Sequence, residues 1–332
     1  MLKISKISFP GLGIGEFSVN SVAFTVFGID IAWYALLITF GMICCITYVI
    51  LQSKKIGITV DDVIDYALFT IPIGIIGARL YYVFSELDRY ESFWDVIDIR
   101  QGGLAIYGGI IAGTIAVVGV SHFKKINFFA FGDCVAPGVL LAQGIGRWGN
   151  FMNGEAYGVQ TDWFIRMGLS NENINYDISK GVITGISRGE MAYVHPTFLY
   201  ESLWNLLGVL LVYLFAKLIR KKYDGQLILL TFGWYGLGRM FIEGLRTDSL
   251  YIPGTDIRTS QALAAVIFVV FAVLLIVFAI RPPKKELYLK SAPVEAESVQ
   301  KENDLFAKIK GLFSKNSDKS DGEQNNSENK EQ

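Results

Sequence analysis

Long apolar runs separated by short polar segments make up most of the first 285 residues of this 332-residue chain. A helix needs roughly 20 apolar residues to cross about 30 Å of hydrocarbon. Seven runs have about that length, at residues 31–51, 63–84, 104–120, 129–145, 195–218, 226–245 and 261–280. The pattern predicts an all-α polytopic membrane protein with seven transmembrane helices.

The polar parts of the pattern divide the chain. Residues 1–30 are mixed and Gly-rich and are interpreted as an exofacial N-terminal segment. Residues 31–285 form the transmembrane domain, into which a polar, Gly- and Asn-rich stretch at about 150–194 inserts a small exofacial head region. Residues 286–332 are rich in Lys, Glu, Ser, Asn and Asp and too polar to bury a core, which predicts a disordered cytoplasmic tail.

Basic residues follow alternate runs and indicate the orientation. They are Lys54 and Lys55 after the first run, Lys124 and Lys125 after the third, Arg220, Lys221 and Lys222 after the fifth, and Arg281, Lys284 and Lys285 after the seventh. Since Lys and Arg favour the cytoplasmic side, the N-terminus is expected outside and the C-terminus in the cytoplasm.

The composition agrees with a membrane location and reduces the range of expected binding partners. Hydrophobic residues make up 52% of the chain and the mean hydropathy is +0.39, which is too apolar for an ordinary soluble domain. A net charge of −1 gives no reason to expect a nucleic-acid partner. The three cysteines lie in apolar runs and are interpreted as fillers, with a reactive thiol as the alternative. We find no metal-ligand spacing and no cofactor-binding loop, so neither a metal nor a cofactor is expected.

Several charged residues interrupt the apolar runs. A charge at the bilayer centre costs roughly 2.5–3.5 kcal/mol even on lenient scales, so such residues usually face a partner or a wet cavity. They are Arg79, Asp133, Glu201, Arg239 and Glu243. Arg239, Glu243 and Arg246 follow at i, i+4 and i+7, which predicts an ion ladder on one helical face. Two arginines around one glutamate would leave positive charge that suits a phosphate.

A second polar group lies in residues 146–158, directly after the fourth run. The stretch contains Arg147, Asn150, Asn153 and Glu155 among small and aromatic residues. Arg147 and Glu155 either neutralise each other as structural support or belong to a binding site. The glycines of these helices permit close approach of another helix or of a lipid chain. The residues alone therefore predict a membrane enzyme or carrier that acts on a lipid anion.

The stretch also resembles the signature of the prolipoprotein diacylglyceryl transferases. The matching positions are Gly146, Arg147, Gly149, Asn150, Phe151, Asn153, Glu155 and Gly158. Further similar segments follow in the family's order: Trp33-Tyr34, Gly77-Ala78-Arg79, residues 102–109, Asp133 with Pro137, His195-Pro196, Leu199-Tyr200-Glu201, and Arg239 with Glu243 and Arg246.

The resemblance implies an enzyme of the bacterial plasma membrane that needs no cofactor. Its substrates would be phosphatidylglycerol and a preprolipoprotein signal peptide, and the diacylglyceryl group would pass to the thiol of the lipobox cysteine with release of glycerol phosphate. Arg147 and Arg239 would hold the phosphate and stabilise the leaving group, while Glu243 and Glu155 would orient the arginines. The implied catalytic residues are Arg147, Arg239, Tyr107 and Glu243, and the implied substrate-binding residues are Arg147, Asn150, Asn153, Glu155, Tyr34, Arg246 and Arg79.

One position departs from the family pattern. Where the family usually has a histidine before a Gly-Gly pair, this chain has Tyr107. Tyr has an unperturbed pKa near 10, against about 6.5 for His, so Tyr107 is either an assisted proton acceptor or only a hydrogen-bonding group. The two histidines are His122, expected at the cytoplasmic surface, and His195, expected to have a structural role at a helix start.

Two alternatives stay open. A carrier or flippase for anionic phospholipids would use the same arginines without making a bond, and it predicts charged access to both leaflets. A phosphatidyltransferase that uses nucleotide-activated alcohols would need an aspartate-rich metal motif, which we do not find.

Overall fold

Membrane-length helices run through most of this computed structural model, which describes residues 4–90, 92–98, 102–249, 251–252, 254–255, 257–283 and 287–290. The helices are α1 (Trp33–Ser53), α2 (Val60–Ser85), α3 (Phe93–Ile97), α4 (Ile106–Phe123), α5 (Phe128–Asn153), α6 (Glu172–Ser179), α7 (Thr197–Leu214, extended by a π-helical turn over Phe215–Ile219), α8 (Gln226–Glu243) and α9 (Thr259–Ile280). The predicted polytopic, mainly helical architecture is confirmed.

Six helices of the described residues are both long and apolar enough to cross a membrane: those beginning at Trp33, Val60, Ile106, Phe128, Thr197 and Thr259. The predicted sixth span is present as α8, which packs against α5, α7 and α9. Its 18 residues include Arg239 and Glu243 as well as several glycines, so it does not reach the same apolarity. The described residues therefore contain six helices with the length and composition of a span, and the more polar α8 lies where the sequence predicts the sixth of seven.

Strands at one end of the bundle correct the all-α expectation for the polar segments. They are β1 (Ile4–Phe9), β2 (Ile14–Asn20), β3 (Val22–Val26), β4 (Ile29–Ala32), β5 (Met167–Ser170) and β6 (Ala192–Val194). A four-stranded antiparallel sheet has the order β2-β1-β5-β6, and β3 pairs with β4 as a separate hairpin that leads into α1. We call the end of the bundle that carries these strands the head end. The opposite end, where Lys54 follows α1 and Lys124 follows α4, is called the basic end.

The N-terminal segment and the inserted head region thus form one folded body. Ile7 lies opposite both Phe17 and Leu169, so β1 joins the two segments. The fully buried side chains of Ile7, Leu169, Ile174 and Val194 form its core. Alternate residues of β1, β5 and β6 enter this core, as expected for a sheet with one covered face.

Small residues bring α2 and α4 into close contact. A Cβ at Gly77 or Gly108 would clash with the backbone of the other helix, and Ala105 N donates to Ala78 O at 3.0 Å. Helix packing, rather than room for a lipid chain, therefore accounts for these two glycines.

Two tryptophans join α7 to α8. Their rings stack with centroids 4.2 Å apart. Trp204 Nε1 donates to Trp234 O at 3.0 Å, and Trp234 Nε1 donates to Trp204 O at 2.9 Å. Each ring lies over a glycine of the other helix, Gly238 under Trp204 and Gly208 under Trp234, where a Cβ would clash. We call this arrangement the tryptophan pair.

At the basic end, Asp133 of α5 caps the start of α8. Its carboxylate accepts hydrogen bonds from the backbone N–H groups of Gly225, Leu227 and Ile228 at 2.9–3.0 Å and from Lys221 Nζ at 3.0 Å. The first N–H groups of a helix lack intrahelical partners, and an anion there is favourable. The buried charge of Asp133 is explained by this structural role.

Residues 56–58 with 289–290 form a separate small unit, in which Lys290 N donates to Ile56 O at 3.0 Å. Of the predicted disordered tail at residues 286–332, residues 286 and 291–332 lie outside the described residues.

Candidate functional site

Three guanidinium groups converge on one carboxylate at the head end of the bundle. Glu201, in the second turn of α7, forms an ion pair with Arg147 of α5, in which Glu201 Oε2 lies 2.6 Å from Arg147 Nη2. Its other oxygen contacts Arg239 Nη1 of α8 at 2.7 Å and Arg246 Nη1 at 3.6 Å. Glu201 is only 5% exposed. The predicted convergence of Arg147 and Arg239 is therefore present, and a third helix supplies the acid that links them.

The predicted ladder along α8 continues this network. Arg239 Nη2 lies 2.5 Å from Glu243 Oε2, and Arg246 Nε lies 4.0 Å from the same oxygen. Ser249 Oγ donates to Glu243 Oε1 at 2.9 Å. Arg246 binds Asp248 with two hydrogen bonds, at 2.9 and 2.7 Å. Glu243 is 2% exposed, so its charge depends on these partners.

The charges of this network balance, contrary to the sequence prediction. Three arginines face three carboxylates, those of Glu201, Glu243 and Asp248, instead of two arginines facing one. Burial alone would raise the pKa of Asp248, but the hydrogen bonds and charge of Arg246 outweigh it and hold this pKa below its usual value. The excess positive charge expected from the sequence is therefore absent from these six side chains.

The loop after α5 holds the end of α8 in place. α5 ends at Gly154, whose φ of 58° is left-handed. The chain then forms a bridge between Gly158 and Arg246, and Val159 N donates to Leu245 O at 2.8 Å. A Cβ at Gly158 would lie 2.7 Å from His195 Cβ, so only glycine allows this approach. The loop thereby fixes Arg246 relative to Arg147.

Glu155 belongs to a neighbouring amide cluster and does not pair with Arg147. Asn150 Nδ2 and Asn153 Nδ2 donate to Glu155 Oε1 at 3.2 and 3.1 Å. The left-handed turn at Gly154 returns the chain to α5, and Glu155 N donates to Asn150 O at 3.1 Å. The expectation that Glu155 orients Arg147 is wrong for this reason. Glu155 instead orients the two amides, and Glu201 orients Arg147.

Three tyrosines approach the two clusters. The ring of Tyr34 packs on Gly149, where a Cβ would lie 2.5 Å from Tyr34 Cδ2. Tyr235 lies one turn before Arg239 and experiences the charges of Arg239, Arg147 and Glu201, with Tyr107 of α4 nearby. Tyr107 is 40% exposed. Tyr34 and Tyr107 thus lie at the head end as predicted, whereas Tyr235 was missed.

Arg79 is not available to a ligand, which corrects its predicted substrate-binding role. Its guanidinium makes five hydrogen bonds of 2.7–3.0 Å to backbone carbonyls, of Asp95, Val96, Asp98, Gly102 and Gly103. A guanidinium has five N–H donors, so all of them are used. Arg79 therefore ties α3 and the two glycines that precede α4 to α2.

The histidines have the predicted structural positions. His195 Nδ1 lies 3.1 Å from Tyr200 Oη, and Trp163 packs edge-on against both rings. Burial lowers the pKa of His195, which favours the neutral ring. His122 is exposed at the basic end, as expected.

Glu201 is the central residue that the sequence prediction left without a role. It was recognised as an acid in an apolar run, and such an acid needs a cation. Since the lysine of the fifth run, Lys217, lies 16 residues from Glu201 in the sequence, partners from other helices could have been expected. Among the described residues, no group of three or more His, Cys, Asp or Glu side chains could hold a metal ion.

The chain is similar to known proteins over most of its length. The family model described as prolipoprotein diacylglyceryl transferase matches residues 21–277. A Clostridium perfringens protein named phosphatidylglycerol–prolipoprotein diacylglyceryl transferase 1 is 41% identical over 273 residues, which cover 82% of this chain and 100% of the relative. Proteins named phosphatidylglycerol–prolipoprotein diacylglyceryl transferase from Enterococcus faecalis and Clostridioides difficile are each 42% identical, over 81% and 75% of this chain and 94% and 91% of their own length.

Proposed function

Because the chain belongs to the prolipoprotein diacylglyceryl transferase family, we propose that it modifies preprolipoproteins with lipid taken from phosphatidylglycerol. The thiol of the lipobox cysteine attacks the glycerol carbon that carries the phosphate. A C–S bond forms to the carbon of the diacylglyceryl group, the C–O bond between that carbon and the phosphate breaks, and the thiol proton passes to a base of the site or to the departing glycerol phosphate. The products are a thioether-linked diacylglyceryl cysteine and glycerol phosphate.

Arg147 and Arg239 hold the phosphate in this proposal. The convergence of both guanidinium groups on one small anion, the Glu201 carboxylate, supports their role. A guanidinium presents paired donors to two oxygens of a phosphate, and fixed donors stabilise the charge that grows on the leaving group. Glu243 and Arg246 position Arg239 and complete the charged wall. This convergence is the observation on which the proposal depends most.

The neighbouring groups contact the rest of the lipid or the thiol. Asn150 and Asn153, oriented by Glu155, offer amides to the glycerol or phosphate oxygens. Tyr34 borders the same place from α1. Tyr107 replaces the family's histidine, and it either receives the thiol proton as a phenolate stabilised by the neighbouring cations or orients the sulfur as a neutral phenol. Arg79 supports the α3–α4 segment instead of binding substrate.

The proposed site faces the outside of the cell. The four basic clusters predicted for the cytoplasm all follow helices that end at the basic end. The head, the amide cluster and the arginines then lie at the outer leaflet, with the N-terminus outside. A bacterial plasma membrane is the setting, since the similar proteins are bacterial.

The test is to measure the mass of a lipobox peptide after its incubation with phosphatidylglycerol and the purified full-length chain. The wild-type chain should add the mass of one diacylglyceryl group, whereas an anionic-lipid carrier would leave the peptide unchanged. Arg147→Ala and Arg239→Ala should each lose at least about 99% of transfer, because loss of one donor to developing charge costs about 10²–10³ in rate. Arg188→Ala, an exposed head arginine, is the matched control and should transfer normally. Substantial transfer by either site variant would contradict the proposed arginine clamp.

A further inference from the structure

The Glu201 carboxylate lies between Arg147 and Arg239, at the position where the proposed function places the phosphate of the lipid. Its two oxygens divide between the arginines, Oε2 to Arg147 at 2.6 Å and Oε1 to Arg239 at 2.7 Å. A phosphodiester also has one negative charge shared over two free oxygens. The carboxylate therefore matches the ligand in charge and in the number of oxygens that it presents.

Glu201 is also the contact that Arg147 depends on. Among the described residues, the ion pair of Arg147 is to Glu201, whereas Arg239 keeps Glu243 and Arg246 keeps Asp248 as further partners. A headgroup that binds Arg147 through the same donors must therefore take Arg147 from Glu201. The balanced charge of the network means that an incoming anion gains little attraction until this exchange occurs.

We propose that Glu201 is an internal counter-anion that occupies the phosphate position of Arg147 and Arg239, and that the phospholipid headgroup displaces it. This inference rests on the proposed function and makes Glu201 a positioning residue. In the empty site, Glu201 holds both arginines ready and keeps them neutralised in a water-poor environment. After transfer, its return to the arginines expels the more highly charged glycerol phosphate.

The inference predicts that removal of this one charge tightens phosphate binding. Glu201→Gln keeps the shape of the side chain and removes the competing charge. We expect glycerol phosphate to bind at least about tenfold tighter, because a unit charge a few ångströms away in a partly buried site contributes more than the roughly 1.4 kcal/mol that equals one factor of ten. A merely structural Glu201 predicts the opposite, since loss of its charge would disorder the arginines and weaken binding.

The experiment is calorimetric titration of glycerol phosphate into the detergent-purified full-length chain. Glu190→Gln, the same substitution at an exposed head residue, is the matched control and should bind like the wild-type chain. Glu201→Asp retains the charge but withdraws it by one methylene, so its affinity should lie between those of the wild-type chain and Glu201→Gln. If Glu201→Gln does not fold, at least threefold tighter binding by Glu201→Asp supports the inference, and equal or weaker binding overturns it.

Kinetics provide the second measurement. Glu201→Gln should lower the KM for phosphatidylglycerol and lower kcat, because the product is retained, and added glycerol phosphate should inhibit it more strongly than the wild-type chain. A raised KM with unchanged inhibition would overturn the inference. A wild-type chain that binds glycerol phosphate but never modifies the peptide would reject the proposed transfer alone, whereas normal transfer with unchanged binding by Glu201→Gln would reject this inference alone.

Discussion

Three buried charges in the helices have specific partners from other parts of the chain. Asp133 meets the start of α8, Arg79 meets five carbonyls, and Glu201 meets three arginines. Loss of one partner from a buried pair leaves an uncompensated charge and typically costs about 3–5 kcal/mol. Activity losses at these positions therefore have to be separated from unfolding, which the binding measurements above do for Glu201.

Tyr107 allows a direct test of the departure from the family pattern. Tyr107→Phe should lower transfer by about tenfold or more while the protein still inserts, as expected for loss of a positioned proton-transfer group. Tyr107→His, which restores the family's residue, should retain transfer. The peptide mass assay measures both.

Tyr176→Phe, at an exposed tyrosine of the head, is the matched control for this test and should not change the rate. Unchanged turnover of Tyr107→Phe would remove the hydroxyl from the mechanism and direct attention to Tyr235, which lies beside the same charges.

At the scale of the element, α8 is held at both ends and in the middle. Asp133 caps its start, the tryptophan pair fixes its middle against α7, and Arg239 and Glu243 join it to Glu201 at its end. Glu201 and Trp204 lie one turn apart on α7, and Arg239 follows Gly238 directly on α8. The tryptophan pair therefore determines the separation of α7 and α8 next to the proposed phosphate position.

Because the two indoles satisfy each other's backbone carbonyls, their substitutions should not be additive. Trp204→Phe and Trp234→Phe should each lower the free energy of unfolding by about 1–2 kcal/mol through loss of a hydrogen bond and altered stacking. The double variant should lose less than the sum, by about 0.5 kcal/mol or more. Denaturation of the four proteins in detergent measures this coupling.

Trp163→Phe in the head is the control substitution for these measurements of additivity. It lies outside the α7–α8 contact, so its effect should add to that of Trp204→Phe. Additive losses for Trp204→Phe with Trp234→Phe would mean that the reciprocal contact contributes nothing beyond two separate bonds.

At the scale of the whole molecule, the sequence was most informative where the physical signal is local. Helix positions follow from apolar runs, and the ladder from Arg239 to Arg246 follows from helical spacing, so both predictions are confirmed. The family resemblance carried by residues 146–158 is confirmed as well. These features need no knowledge of which helices are neighbours.

Contacts between distant segments were not predictable in this way. The pairing of Ile7 with Leu169 joins strands of six and four residues whose patterns are too short to indicate a partner. The positions of Glu155 and Arg79 depend on a left-handed turn and on a loop that receives all five donors of one guanidinium. Glu201 was visible as a buried acid, but its three partners come from other parts of the chain.

The proposed orientation is testable on intact cells with a membrane-impermeant maleimide. A cysteine at Glu190 in the head should be labelled in intact cells, and a cysteine at Lys55 at the basic end only after permeabilisation, because the basic clusters favour the cytoplasm. The wild-type chain is the background control, since its cysteines Cys44, Cys45 and Cys134 lie within helices. The reverse labelling pattern would contradict the orientation.

The sheet shared by the N-terminal segment and the inserted head region has a consequence for biosynthesis. Ser8 pairs with Gly168, so β1 leaves the ribosome about 160 residues before its neighbour β5. During the insertion of α1 to α5, this strand has no partner on that edge, and the nascent chain carries an incomplete domain at the membrane surface. Completion of the head therefore reports that the four membrane-length helices α1, α2, α4 and α5 have already been inserted in the correct order.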